Sequence, residues 1–173
     1  RRSNASSASM SAAGAAGMVG GQALDLDADP SRRHPGGRRE GQARPMMDAA
    51  AITDMHARKT GALIRASVLA GAIMGGADTR VLQALDRYAR AIGLAFQIVD
   101  DILDVEGASS DLGKTAGKDA ASGKPTYVAL YGLDESKTRA ARCLWQAEAA
   151  LAEAGLAGTP LAGIARWIVE RRT

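Results

Sequence analysis

Alanine supplies 37 of the 173 residues, and only six residues are aromatic. Alanine is the strongest helix former, and here Leu and Ile recur around it at spacings of three and four. Period-two runs of β-branched residues are missing, so strands are not expected. These features predict an all-α protein, a helical bundle or part of one. Glycine shows no three-residue period and Cys143 has no second cysteine to pair with, which excludes collagen-like and disulfide-stapled architectures. A lone cysteine suits a reducing compartment, so a cytoplasmic location is expected. No run of 18 apolar residues exists and no membrane span is expected. The chain opens on Arg1 with no secretory signal after it, and its length fits one domain or a piece of a larger one.

The formal charge of +3 is unevenly spread. Between Pro30 and Met47, Arg32, Arg33, Arg38, Arg39 and Arg44 face only Glu40, so this segment carries +4 and the remainder −1. A basic Gly/Pro-rich stretch without interleaved aromatics reads as a solvated loop over residues 30–47 rather than a nucleic-acid surface.

Punctuation divides the rest into helices. One runs from about Ser6 to Ala28, with Gly14, Gly17, Gly20 and Gly21 allowing close approach of a neighbour. Asp48 is an N-cap candidate for a helix running toward Gly75, with an interruption near Gly61. Asp78 caps the next, which reaches about Val105. A short segment follows Pro125, then a helix from about Glu135 to Ala154. Pro160 opens the last.

The segment Ala91–Val105, AIGLAFQIVDDILDV, carries the chemistry. At about 100° per residue, Gly93, Gln97, Asp100, Asp101 and Asp104 share an arc of about 100°, opposite Ile92, Ala95, Phe96, Ile98, Val99, Ile102 and Leu103. The expectation is a helix packed on one side with three acids pointing outward. Like charges three and four apart cost a helix about 0.2–0.5 kcal/mol per pair, and no Lys or Arg lies within four residues of these acids. The pattern fits an ordinary amphipathic surface or a face that binds a hard cation. Oxygen-only donors, one or two carboxylates per ion, suit Mg²⁺. Two cationic segments join it. The loop Asp111–Thr126, DLGKTAGKDAASGKPT, places lysines on Gly-rich backbone, either as a solvated linker or as a strap over a phosphorylated ligand. Arg58-Lys59-Thr60-Gly61 sets a cation beside a hydroxyl.

Five segments in order resemble the polyprenyl synthase family, most closely bacterial short-chain members of the farnesyl diphosphate synthase type. They are Gly20-Gly21-Gln22-Ala23-Leu24-Asp25, Lys59-Thr60-Gly61, Phe96 to Asp104, Leu112-Gly113-Lys114 with Asp119, and Gly123-Lys124-Pro125-Thr126-Tyr127. The resemblance implies an incomplete all-α isoprenoid synthase bundle, with residues 1–173 forming the C-terminal part of one domain and 30–47 inserted into it. It implies a Mg²⁺-dependent prenyltransferase that joins isopentenyl diphosphate to an allylic diphosphate, and a homodimer. Asp100 and Asp104 would hold metal, and Asp101 would act through water. Lys59, Lys114, Lys124, Arg171 and Arg172 would contact substrate diphosphates. Thr60 and Gln97 would line the cavity beside the reacting carbons, and Gly93 would leave room for ligand. The family's first aspartate-rich motif would lie upstream of Arg1, so activity of this chain alone is not expected. The competing expectation is a truncated, non-catalytic helical partner or a degraded paralogue.

Overall fold

The computed structural model describes residues 10–28, 48–110 and 126–172. Among them every regular element is helical: α1 Met18–Ala28, α2 Ala49–His56, α3 Ala62–Met74, α4 Thr79–Ser110, α5 Tyr127–Tyr131, α6 Leu133–Glu153 and α7 Pro160–Glu170. A single π turn, Ala57–Gly61, joins α2 to α3 without breaking the rod. The loop expected at 30–47 and the lysine-bearing stretch with Lys114 and Lys124 lie outside the described residues.

Local chemistry sets most boundaries. Asp48 accepts from the Ala51 amide at 2.8 Å and starts α2. Asp78 accepts from the Val81 amide at 2.8 Å at the start of α4. Such caps satisfy amides that the first turn leaves open. Gly75 ends α3, and Gly76, at φ 77°, reverses the chain where a side chain would be strained. Two boundaries differ from the sequence expectation. The helix expected over Ser6–Ala28 is interrupted: residues 10–13 are helical, a bend and turn follow at Gly14–Gly17, and α1 starts at Met18. The carboxylate helix runs on past Val105 to Ser110.

Helix α4 is the axis of the bundle. Its longest contact is with α6, where Ala140, Cys143, Ala147 and Ala150 are buried and small side chains let the helices approach closely. Tyr88 is fully buried and donates its hydroxyl to the Leu161 carbonyl at 2.7 Å, tying α4 to α7. Ile92, Ala95, Ile98, Val99 and Ile102 complete that side of the core. At the far end, Arg80 donates to the Glu153 carbonyl at 2.6 Å, closing the C-terminus of α6.

Candidate active site

The opposite side of α4 is covered as well, by the π turn. The backbone at Gly93 lies so close to that turn that a Cβ there would stand 3.0 Å from the Gly61 Cα. From the other direction α1 meets the same turn, and a Cβ on Gly21 would fall 2.2 Å from the Lys59 amide nitrogen. Two glycines therefore grip the Lys-Thr-Gly segment between α1 and α4. The space at Gly93, expected for ligand, is filled by protein backbone. A helical wheel shows which residues share a face but not which neighbour crosses it, and that is why the expectation failed.

The grip fixes Lys59. Its ammonium donates to Asp25 Oδ2 of α1 at 2.7 Å, and both side chains are largely buried. Lys59 is also near enough to favour the ionised form of Asp100. Thr60 is half-buried beside it in the same turn. One turn back, His56 is buried and its Nδ1 has no hydrogen-bond partner among the described residues. Burial, reinforced by the positive charge of Lys59 and opposed by Asp25, brings its pKa down to about 4. His56 is therefore neutral at physiological pH.

The three aspartates on α4 have different surroundings. Asp100 is the most exposed, and Arg171, just past the end of α7, donates to its Oδ1. Gln97, buried one turn earlier, makes a weak 3.4 Å contact with Asp100 Oδ2. Burial pushes the Asp100 carboxyl upward, while Arg171 and then Lys59 pull it down. Asp101 turns toward α5, where its Oδ2 accepts from the Tyr127 amide at 2.8 Å. Asp104 is half-buried one turn beyond Asp100. Local sequence offers these acids no cation, but the fold supplies Arg171 from the far end of the chain. Arg172 is exposed.

Tyr127 links the two walls of this region. Its hydroxyl is hydrogen-bonded to that of Thr53 on α2 at 2.6 Å, and its ring centroid lies 5.7 Å from that of His56. Asp25, His56, Phe96 and Tyr127 were not named from sequence as functional groups. Asp25, Phe96 and Tyr127 stood inside the quoted motifs, whereas nothing local distinguished His56.

Among the described residues no three His, Cys, Asp or Glu side chains stand close enough to hold an ion by themselves. Asp100 and Asp104, one turn apart with Asp101 turned aside, offer two carboxylates. That donor set fits a hydrated Mg²⁺ whose remaining ligands come from a phosphorylated compound.

A sequence model of the polyprenyl synthetase family matches residues 4–154. The chain belongs to that family. It is 45% identical over 165 residues to the farnesyl diphosphate synthase of Escherichia coli, covering 93% of this chain and 50% of that protein. It is 41% identical over 160 residues to a dimethylallyltranstransferase of Fischerella ambigua, covering 92% of this chain and 42% of that one. Among solved structures, an FPP/GFPP synthase from Zymomonas mobilis superposes with a TM-score of 0.72 at 37% identity, over 96% of this chain and 50% of the other. The chain spans about half the length of the curated relatives it matches. Its described residues form an all-α fold, like that of a family member of solved structure. No helix among the described residues is long and apolar enough to cross a membrane.

Proposed function

We propose that the chain forms the C-terminal part of a Mg²⁺-dependent short-chain prenyltransferase that condenses isopentenyl diphosphate with an allylic diphosphate. The observation that carries this reading is the convergence of Lys59, Gln97, Asp100 and Arg171, contributed by three separate elements, around the C-terminal half of α4. Asp100 and Asp104 would hold the ion, and Asp101 would position α5 rather than ligate. Bound Mg²⁺ would neutralise charge on the departing diphosphate as the allylic C–O bond breaks. Lys59 would share its charge between Asp25 and the diphosphate. Thr60 and Gln97 would direct oxygen dipoles at the reacting carbons, where positive charge develops before the double bond of isopentenyl diphosphate attacks. Lys114 and Lys124 would add further phosphate contacts, as would Arg171 and Arg172 from the C-terminus. The protein would act in the cytoplasm as a homodimer; exposed Val19 and Leu26, seven residues apart on one side of α1, are consistent with a covered face.

The test is ligand-dependent stabilisation. An allylic diphosphate with Mg²⁺ should raise the melting temperature of this chain, and the same ligand with EDTA should not, because binding to the folded state alone shifts unfolding. Equal melting temperatures with and without the pair would favour the non-catalytic helical partner.

A further inference from the structure

Arg171 does more than approach the site. Its amide donates to the Trp167 carbonyl at 3.0 Å and closes α7. Its guanidinium lies 4.1 Å from the Phe96 ring centroid. One terminal nitrogen donates both to the Phe96 carbonyl at 3.2 Å and to Asp100 Oδ1. The side chain is only 11% exposed, yet its Nε is buried without a hydrogen-bond partner among the described residues. The pose is thus well packed and incompletely satisfied.

The geometry points to Arg171 as a placeholder cation, which holds the Asp100 carboxylate until a divalent ion displaces it. The inference rests on the site reading above and adds an order of events to it. Mg²⁺ binds carboxylate oxygen directly, at about 2.0–2.1 Å. An ion on Asp100 would place its double charge against a guanidinium that shares the same carboxylate, so the two repel and compete. Stacking on Phe96 and the Phe96 carbonyl bond keep Arg171 close after displacement. Its fork of donors is then free for a second anion, and planar, bidentate phosphate recognition is what a guanidinium does best. One residue would therefore keep Asp100 oriented in the empty site and report the arrival of the ion to the segment that follows α7.

The experiment titrates Mn²⁺, standing in for Mg²⁺, into this chain and follows free Mn²⁺ by paramagnetic resonance without diphosphate. Arg171→Gln should bind Mn²⁺ about fivefold or more tightly than the wild type, the scale of a typical coupling between two ligands. Arg171→Lys, which keeps the charge, should give little of that gain, and circular dichroism would verify that both variants fold. Independently, Mg²⁺ should speed amide exchange over residues 168–172, and Asp100→Asn should do so without any metal. Equal or weaker Mn²⁺ binding by Arg171→Gln, with measurable binding by the wild type, would overturn the placeholder role and leave the metal face standing. No Mn²⁺ binding by either protein, even with inorganic diphosphate added, would overturn both.

Discussion

The backbone at Gly21 presses on the amide of Lys59 so closely that a single methyl group has no place between them. A pair of glycines thereby sets where the cationic segment stands relative to the carboxylate helix. Gly21→Ala should force α1 away from the π turn and destabilise the chain by about 1–3 kcal/mol, the usual cost of overpacking. Gly93→Ala, with a 3.0 Å approach to Gly61, should cost less. Denaturant unfolding of the two variants would check the order.

Much of this fold is legible in the sequence because its signals are local. Asp48, Asp78 and Pro160 mark helix starts through their own hydrogen bonds or fixed φ, and Gly75-Gly76 marks an end. The carboxylate face is legible for the same reason, since Asp100, Asp101 and Asp104 are neighbours on one helix. What distinguishes them is not. Arg171 and Tyr127 reach Asp100 and Asp101 across 71 and 26 residues. Periodicity carries no information on such pairings. The filling of the Gly93 face by Gly61 was hidden likewise, because it depends on how two helices cross.

Tyr127 should behave as a tie between α2 and α4. Tyr127→Phe keeps the ring against His56 but removes the hydroxyl bonded to Thr53. It should cost about 0.5–1.5 kcal/mol, and Thr53→Val should cost a similar amount. The double variant should be less destabilised than the sum, because both lose the same bond. Chemical denaturation of all four proteins measures the coupling.

His56 predicts a pH dependence with a definite sign. Its folded pKa, near 4, lies below the unfolded value of 6.5, so the unfolded chain takes up the proton first. The stability contributed by neutral His56 is complete above about pH 6.5. It declines as pH falls toward 4 and changes no further below that. Unfolding at pH 7 and pH 4.5 should differ more for the wild type than for His56→Gln. An equal difference would assign the acid sensitivity to other groups.

Cys143 sits in the α4–α6 interface, and burial pushes its thiol up to about 11. Only the thiolate is nucleophilic. Maleimide labelling at pH 7 should therefore be slow in the folded chain and become fast in denaturant. Rapid labelling of the native protein would show that α6 separates readily from α4.

The central claim is that the Asp100 face joins a divalent cation to a diphosphate, and calorimetry tests it most directly. Mg²⁺ should bind this chain weakly alone and more tightly once inorganic diphosphate is present, because the phosphate oxygens complete the ion's shell. Asp100→Ala should abolish that gain. Asp101→Ala should reduce it only by about 10–100-fold, the usual cost of losing a group that supports a ligand. Independent binding of Mg²⁺ and diphosphate to a folded sample, or a gain that survives Asp100→Ala unchanged, would contradict the account and leave the face a solvated helix surface.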